Sequence, residues 1–426
     1  MKENMSSDPR AASCRLLQKI YAGRGYANLA LDAELSRLHM QPNDAALCAA
    51  LVYGVTERRR TLDYQLGQLL EQPIEKLPDI TLAALRMGLY QLFFMDRIPD
   101  HAVINESVEL TKKSRAHYTA KLVNAVLRKA RSRGLVLPEG DDDHARSIRY
   151  ACPEWLCSLW RKAYGEDIAK ELLAATFDNA RIILRANTLK ISPEELCEIL
   201  GGERAPDCPE AIALQKNGDV RRLPGFAEGL FHVQDTAAQL CCKALAPQPG
   251  ETVFDLCAAP GGKSFTCAEM MQNRGKIIAL DLHPHRLKLV TEGAARLGIT
   301  CIETRPGDAA NARVLSQYGK AERILCDVPC SGLGIIRKKP DIREKMPQEL
   351  DKLPEMQYAI LSGGADCLRP GGTLVYATCT LNPAENEDVC ARFLREHPAF
   401  TMISQKNYMP HIDDTDGFYF ARFTLA

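Results

Sequence analysis

Apolar residues recur at three- and four-residue spacing through roughly the first 135 positions, a pattern that predicts amphipathic helices. The segments that show it are RAASCRLLQKIY, AELSRLHM, NDAALCAALVYGVTERRRTLDYQLGQLL and PDITLAALRMGLYQLFF. The alternation typical of strands does not occur in this part of the sequence. We therefore expect residues 1–140 to form an all-α domain.

The pattern changes twice further along the chain. The acidic stretch Gly140–Ser147 predicts a linker, and residues 148–232 mix helical and strand patterns, which predicts a small α+β domain. From residue 233 to 426, short apolar strands alternate with helical stretches. Strands that alternate with helices indicate an α/β domain, with a parallel sheet covered on both faces. Two more predicted strands, FTMISQ and GFYFARF, close the chain.

Composition limits the class of protein. The 426 residues are 46% hydrophobic and 25% charged, which is typical of a soluble globular protein. No apolar run approaches the roughly 18 residues needed to span a bilayer, so we expect no membrane association. The 16 cysteines include no Cys-x-x-Cys pair, and Met1–Arg10 does not read as a secretory signal. These features favour the cytoplasm.

The stretch Val253–Lys263, VFDLCAAPGGK, contains the most informative turn of the chain. A short apolar strand runs into Ala-Ala-Pro-Gly-Gly, and a helical pattern follows. Glycine lets the backbone approach a ligand closely, and the first N–H groups of a helix point at it. The spacing matches neither the P-loop motif nor the dinucleotide fingerprint, so a different nucleotide-type ligand is indicated.

Polar or reactive residues follow five successive predicted strands of this domain. In open parallel sheets, ligands bind at the carboxyl ends of the strands. An acidic residue roughly twenty positions after the glycines is placed to hold ribose hydroxyls, although one acid after a strand is often a helix cap. The residues in question are the Cys257–Lys263 loop, Asp281, Asp308, the Asp327–Gly332 stretch and Thr378-Cys379-Thr380.

Cys330 and Cys379 follow the fourth and fifth predicted strands. In the usual order of such sheets these strands are neighbours, about 5 Å apart, so both thiols would lie over one crevice. A single cysteine there is more often structural, because cysteine is among the most buried residue types. Two of them beside a carboxylate and a lysine favour nucleophilic chemistry, and Lys263 or a helix N-terminus would favour the thiolate.

The motifs CAAPGGK, ALD, GD, DVPCSG and ATCTLNPAENE resemble those of the S-adenosylmethionine-dependent RNA (cytosine-5)-methyltransferases of the NOL/NOP2/Sun type, from about residue 150 onward. The helical N-terminus, with HAVINESVELTKKSRAHYTAKLVNAVLRKA, resembles a NusB-type RNA-binding domain. This combination is similar to bacterial enzymes that methylate 16S ribosomal RNA. Val328 and Thr380 depart from the usual Asp-Ala-Pro-Cys and Thr-Cys-Ser of the family, and neither change removes a reactive atom.

The resemblance implies a multidomain chain: a NusB-like all-α domain, a small α+β domain and a Rossmann-like α/β methyltransferase domain. It implies that Cys379 attacks carbon 6 of cytosine, that Cys330 assists release, and that Asp327 contacts the N3 edge, with Lys263 beside them. It implies S-adenosylmethionine as cofactor, held by Cys257, Ala258, Ala259, Pro260, Gly261, Gly262, Lys263, Asp281, Asp308 and Asp327. Free or partly assembled 16S ribosomal RNA would be the partner of a monomer.

One segment indicates how RNA would be bound. Between Leu110 and Pro138 there are eight basic residues and no acidic one, although the chain has zero net charge; they are Lys112, Lys113, Arg115, Lys121, Arg128, Lys129, Arg131 and Arg133. We assign this segment to the last helix of the N-terminal domain. Its basic face would either bind a polyanion or simply be a solvated helix face. Arg337, Lys338 and Lys339 offer a second basic cluster.

Two other function classes compete with this interpretation. A non-catalytic RNA-binding or assembly factor would explain the basic segment but not both cysteines. A nicotinamide dehydrogenase would explain the sheet but lacks the glycine fingerprint. His283 and His285 could form a metal pair, yet no further ligand cluster lies near them in the sequence, so we expect no metal.

Overall fold

The computed structural model describes residues 8–22, 27–215 and 218–426. The chain divides into two compact units. The first unit comprises Met1–Phe177 together with Ile336–Lys345, and the second comprises Asp178–Ile335 together with Met346–Ala426. The division of the chain into domains 1–140, 148–232 and 233–426 stays a prediction.

The first unit is helical, as the apolar spacing predicts. Its helices are α1 (Pro9–Tyr21), α2 (Ala27–Leu38), α3 (Pro42–Leu69), α4 (Asp79–Phe94), α5 (Asp100–Lys112), α6 (Ala120–Arg133), α7 (Asp143–Arg149), α8 (Glu154–Tyr164) and α9 (Glu166–Ala175). In α6, Val123, Val126, Leu127 and Ala130 are buried at three- and four-residue spacing. Full burial of such side chains is worth about 1.5–3 kcal/mol each for valine or leucine, which holds the helix in place.

The basic segment Leu110–Pro138 is not a single helix. Helix α5 ends at Lys112, a short 3₁₀ turn covers His117–Thr119, and α6 begins at Ala120. The hydroxyl of Ser114 donates to the carbonyl of Thr111 and accepts from the N–H of Ala116. A serine hydroxyl that hydrogen-bonds to nearby backbone groups competes with the backbone hydrogen bonds of a helix. This competition explains the break.

The stretch Gly140–Ser147, predicted to be a linker, contains the start of helix α7. Asp142 caps this helix by accepting from the N–H of Ala145. Arg146 is buried within it and pairs with Asp141 and Glu166. The hydrogen bond to Asp141 is the main reason that the pKa of the Arg146 guanidinium lies above its usual value. The acidic residues here are therefore capping and pairing groups.

The segment Ile336–Lys345 belongs to the first unit although its sequence follows Cys330 closely. Arg343 anchors it: this side chain is fully buried and donates to the carbonyls of Tyr150 and Thr176. A buried guanidinium needs such acceptors, because an unpaired charge away from water is costly. The chain thus leaves the second unit after Ile335 and returns to it at Met346.

The second unit opens with a small antiparallel sheet in the order β2-β3-β1-β4. Its elements are β1 (Ile183–Ala186), α10 (Pro193–Leu200), β2 (Glu203–Ala205), β3 (Cys208–Ala213) and β4 (Phe231–Val233). Ser192 and Glu195 form a capping box at the start of α10, which fixes where that helix begins. The predicted α+β character of this region is confirmed.

The larger sheet has the strand order β10-β11-β9-β8-β5-β6-β7. Its elements and the surrounding helices are α11 (Thr236–Leu245), β5 (Thr252–Asp255), α12 (Gly262–Met270), β6 (Lys276–Asp281), α13 (Pro284–Leu297), β7 (Ile302–Pro306), α14 (Ala312–Ser316), β8 (Ala321–Asp327), α15 (Leu353–Ala365), β9 (Leu368–Thr378), α16 (Glu387–Glu396), β10 (Phe400–Tyr408), α17 (Pro410–Asp413) and β11 (Phe418–Leu425). The pairs from β9 to β7 are parallel, whereas β11 is antiparallel to β9 and β10.

Helices cover both faces of this sheet. Val253 of β5 belongs to one buried cluster and the next residue, Phe254, belongs to another. Successive side chains of a strand point to opposite faces, so the two clusters are the two layers of the core. This architecture is the Rossmann-like α/β arrangement, and the parallel order places the ends of β5, β6 and β8 side by side.

No helix among the described ranges combines the length and the apolar character that crossing a membrane requires.

Candidate active site

The turn from β5 into α12 forms a tight backbone loop at the carboxyl end of the sheet. Gly261 has φ +116°, a conformation that L side chains rarely adopt, and a Cβ there would lie 2.4 Å from Cζ of Phe265. The N–H of Phe265 donates to Gly261 O, the first helical bond. The preceding N–H groups at the start of α12 are therefore without intrahelical acceptors and available to a ligand.

Lys263, in the first turn of α12, reaches the end of β8. Its Nζ lies 2.7 Å from Oδ2 of Asp327 and 5.2 Å from the ring centroid of Phe418. Burial opposes the charge on Lys263, but the neighbouring Asp327 carboxylate outweighs it and holds the pKa of the ammonium above its usual value. The structure thus places a charged pair at the carboxyl ends of two adjacent strands.

Asp281 lies at the end of β6, as predicted, and is buried. Its Oδ1 accepts from the N–H of His283, and its Oδ2 lies 3.2 Å from Nη1 of Arg286. Arg286 also donates to the carbonyl of Ala259 at 2.8 Å. Arg286 therefore ties the glycine loop to the Asp281 carboxylate, a link that the sequence reasoning missed because the arginine lies one helical turn beyond the strand.

Asp308 is exposed after β7, and its Oδ1 accepts from the N–H of Ala310 at 3.0 Å. This bond is the local turn contact that an aspartate often makes with its own backbone. His283 and His285 are both exposed. Across the described part of the chain, no group of three potential metal ligands occurs.

Asp255, the last residue of β5, is a buried carboxyl that the sequence reasoning did not single out. One oxygen accepts from Ser264 Oγ at 2.6 Å, and the other makes no hydrogen bond of normal geometry with any described residue, although the backbone N–H of Cys257 lies near enough to lower the pKa of the carboxyl. Burial raises the pKa of Asp255 to about 7, an effect that Ser264 opposes and Asp327 reinforces. Asp255 is therefore a buried carboxyl at the start of the glycine loop that is protonated more readily than an ordinary aspartate.

Cys330 and Cys379 meet at the ends of β8 and β9. Their Sγ atoms are 3.3 Å apart, and both side chains are half-buried. The N–H of Val328 donates to the carbonyl of Ala377, so the parallel pairing continues to the point where each strand turns away. The neighbouring strands predicted from the sequence are therefore confirmed, and the two thiols are in contact.

The electrostatic surroundings of Cys330 favour the neutral thiol. Its hydrogen bond with Cys379 is the largest cause that raises its pKa well above the usual value, and burial adds to it. The Glu385 carboxylate acts in the same direction. Cys330 is thus suited to hold a proton next to the sulfur of Cys379.

A close backbone contact supports both cysteine loops. The N–H of Gly334 donates to the carbonyl of Cys379 at 3.0 Å, and its carbonyl accepts from the N–H of Gly417. A Cβ on Gly334 would lie 1.9 Å from the carbonyl oxygen of Gly417. Glycine is required at this position because two backbone segments approach each other directly.

Comparison with known proteins places these features in a family. Residues 242–424 match the family model described as 16S rRNA methyltransferase RsmB/F, residues 7–132 match the NusB family, and residues 152–221 match the ferredoxin-like domain of the RsmF/B-like methyltransferases. The chain is 36% identical to the probable ribosomal RNA small subunit methyltransferase B of Synechocystis, over 96% of this chain and 98% of that protein.

A second relative, the ribosomal RNA small subunit methyltransferase B of Vibrio cholerae, is 35% identical over 96% of each chain. The crystal structure of PH0851 matches the whole fold with a TM-score of 0.83 and 24% identity, covering 100% of this chain and 99% of that one. These matches define a ribosomal RNA methyltransferase with a NusB-type domain. Within that class, the chain belongs to the ribosomal RNA small subunit methyltransferase B family.

Proposed function

We propose that this chain methylates carbon 5 of a cytosine in 16S ribosomal RNA through a covalent bond between Cys379 and carbon 6 of the base. The observation that carries the proposal is the 3.3 Å contact between the sulfurs of Cys330 and Cys379 at adjacent strand ends. Covalent addition and elimination at one base need a nucleophile and a second group beside it. A purely structural role would not require thiols at the carboxyl ends of two adjacent strands.

Each residue of the site has a distinct role in this reaction. Cys379 attacks carbon 6 as its thiolate, and the electron pair of the double bond moves toward carbon 5, which becomes able to accept a methyl group. Asp327 contacts the N3 edge of the base and supports its protonation, with Lys263 holding the carboxylate at 2.7 Å. Charge held ready where charge develops lowers the barrier without reorganisation.

Release of the product reverses the addition. The carbon-5 proton departs to solvent, the double bond re-forms, and the bond between carbon 6 and sulfur breaks, returning its electrons to Cys379. Cys330 holds its proton within reach of that leaving sulfur and stabilises it by a hydrogen bond. Cys330 therefore acts in the elimination step and not in the attack.

The residues at the ends of β5 and β6 fit S-adenosylmethionine. The free N–H groups at the start of α12 suit its carboxylate, and Asp281 suits its ribose hydroxyls. Asp308, which follows β7, is exposed, as is Pro260 of the glycine loop. When bound, S-adenosylmethionine supplies the electrophilic methyl group.

The target base must leave its stack to reach this crevice, and the cost of unstacking is smallest in an unpaired region. The basic segment Leu110–Pro138 would provide affinity for the phosphates and little sequence selectivity. We therefore place the choice of cytosine in RNA shape and in the surroundings of Cys379.

Two variants incubated with S-adenosylmethionine and 16S RNA test the proposal on a denaturing gel. Cys330→Ala should accumulate a covalent protein–RNA adduct, and Cys379→Ala should be inactive and form none. An adduct in the Cys379 variant would reverse the assignment. Adducts in neither variant would count against the covalent mechanism, and would leave a non-catalytic RNA-binding factor as the better description only if the wild-type protein also transferred no methyl group. Bisulfite mapping of 16S RNA from a strain that lacks the protein would identify the cytosine.

A further inference from the structure

Glu385 is a fully buried carboxylate that lies between the two cysteine loops and that the mechanism above does not use. It belongs to a short 3₁₀ turn, Pro383–Glu385, which follows the Cys379 loop in sequence. A carboxylate without access to water must be satisfied by hydrogen bonds. The positions of its donors show what it holds together.

One oxygen of Glu385 is bonded to the Cys330 loop. Oε2 accepts from the backbone N–H of Ser331 at 2.8 Å and from Nε2 of Gln357 at 2.9 Å. Gln357 also donates to the carbonyl of Pro329 at 2.9 Å. The backbone on each side of Cys330 is therefore fixed, on one side directly by Glu385 and on the other through Gln357.

The other oxygen is bonded to the segment that follows Cys379. Oε1 accepts from Nδ2 of Asn382 at 2.9 Å, and the backbone carbonyl of Glu385 accepts from the hydroxyl of Tyr376, on β9, at 2.6 Å. The two loops also meet through the hydroxyls of Ser331 and Thr380, 2.6 Å apart. Hydrogen bonds to an ionised group are stronger than neutral ones, so the carboxylate is the strongest element of this buried network.

We propose that Glu385 is a positioning residue that fixes Cys330 against Cys379 and thereby controls the elimination step. The inference rests on the proposed function, because it assigns a consequence to that covalent reaction. The backbone of Cys379 has independent support from the N–H of Gly334, whereas the N–H of Ser331 is bonded to Glu385. Loss of the carboxylate should therefore displace Cys330 more than Cys379.

The first test compares Glu385→Gln and Glu385→Ala with the wild-type protein in the denaturing-gel assay. Both variants should retain S-adenosylmethionine affinity within about twofold and should accumulate the protein–RNA adduct, as Cys330→Ala does. Turnover should fall by up to about 10²-fold, the effect of a displacement near 1 Å. Glutamine keeps one accepting oxygen and should be less affected than alanine.

Two controls separate positioning from simple loss of stability. Glu269→Gln changes another buried carboxylate, which makes a 2.7 Å ion pair with Arg185 and has no contact with the cysteine loops among the hydrogen bonds and ion pairs of the described residues. This variant should form no adduct. Gln357→Met keeps the Glu385 carboxylate and its bond to Ser331, but removes the hydrogen bond from Gln357 to Glu385 and the link to Pro329, and should give a smaller accumulation of adduct. If Glu385→Ala does not fold, Glu385→Gln and Gln357→Met still decide the question. Lower turnover without adduct in both would overturn the inference.

A second test needs no RNA. The hydrogen bond to Cys379 is the largest cause of the raised pKa of Cys330, and the Glu385 charge adds to it. Glu385→Gln loosens that contact and removes the charge, so it should move the pH dependence of Cys330 alkylation by iodoacetamide to lower pH. Peptide mass spectrometry measures this at Cys330 alone. An unchanged profile would contradict the inference even if the adduct assay failed. Absence of adduct in Cys330→Ala would instead count against the covalent mechanism itself.

Discussion

The ammonium of Lys263 lies 2.7 Å from the carboxylate of Asp327, and this contact joins the first turn of α12 to the end of β8. The lysine follows the glycine loop and the aspartate lies three residues before Cys330, so the pair connects the cofactor side of the proposed site to the thiol side. Partial burial makes the interaction stronger than it would be on the surface.

Lys263→Met should lower turnover by roughly 10²–10³-fold, the range seen when one preorganised electrostatic group is removed from an active site. The Asp327 carboxylate would lose its partner while the apolar volume of the side chain is kept. Lys243→Met is the matched control, since Lys243 pairs with Glu210 at 3.2 Å near the surface and should leave turnover within about twofold. Near-normal turnover in the Lys263 variant would remove it from the mechanism.

Asp281→Ala should weaken S-adenosylmethionine binding by roughly 1–3 kcal/mol, the range for loss of hydrogen bonds that involve a charged group. Arg286→Ala should weaken it as well, because this arginine bonds both Asp281 and the carbonyl of Ala259. Calorimetry measures both affinities, with Asp366→Ala as an exposed control. Unchanged affinity in a folded Asp281 variant would show that the cofactor does not use this carboxylate.

Asp255 should make stability depend on pH. Its pKa is raised to about 7 by burial, whereas the pKa of an aspartate in an unfolded chain is about 3.9. Between these values the folded state binds more protons, so the free energy of unfolding should fall as pH rises from about 4 to 7. Asp255→Asn should reduce that slope, by at most about 1.4 kcal/mol per pH unit.

Urea unfolding at several pH values measures the effect, and the exposed Asp366→Asn variant provides the comparison. If the curves for wild type and Asp255→Asn run parallel between pH 4 and 7, Asp255 is ionised in the folded protein throughout.

The strand ends were predictable from the sequence because each carries a local signal. Asp281, Asp327, Cys330 and Cys379 all follow apolar runs, and the alternation of strands and helices implies a parallel sheet. The contact between the two thiols then depends on one further step, the adjacency of β8 and β9.

The residues that the sequence reasoning missed make hydrogen bonds to residues that are far away along the chain. Glu385 bonds Ser331, 54 positions away, and no local spacing indicates such a partner. Arg343 has the same character, since it is bonded to Tyr150 in the first unit, 193 positions away. The predicted linker at Gly140–Ser147 was wrong because acidic residues that cap a helix have the same composition as a solvated loop.

The composition of the first unit limits how its proposed RNA binding can be tested. Deletion of residues 1–135 would remove α1–α6 from a unit that also contains α7–α9 and Ile336–Lys345. Thr61 of α3, for example, donates to the carbonyl of Ile148 at 2.5 Å in a buried hydrogen bond. Truncation would expose that core, so substitutions on the surface are the better experiment.

All eight basic side chains of Leu110–Pro138 are exposed. Lys112 pairs with Glu109 and Arg131 with Asp100, and both pairs lie at the surface, where such ion pairs are worth little. A protein that neutralises phosphates releases counterions, so the logarithm of RNA affinity should fall linearly with the logarithm of salt concentration. Replacing four of these side chains should therefore reduce affinity at low salt and make the dependence shallower.

The test variant carries alanine at Lys113, Lys121, Arg128 and Lys129, and a control variant carries alanine at four exposed basic residues of the second unit, Arg221, Arg222, Lys288 and Lys352. The slope should decrease by about 0.7–0.9 for each phosphate that the test variant no longer neutralises, and should change less in the control. S-adenosylmethionine affinity should stay constant in both, because none of the eight substituted residues is among the proposed cofactor residues. Equal slopes for wild type and test variant would show that these side chains are only solvated, and would direct the search to Arg337, Lys338 and Lys339.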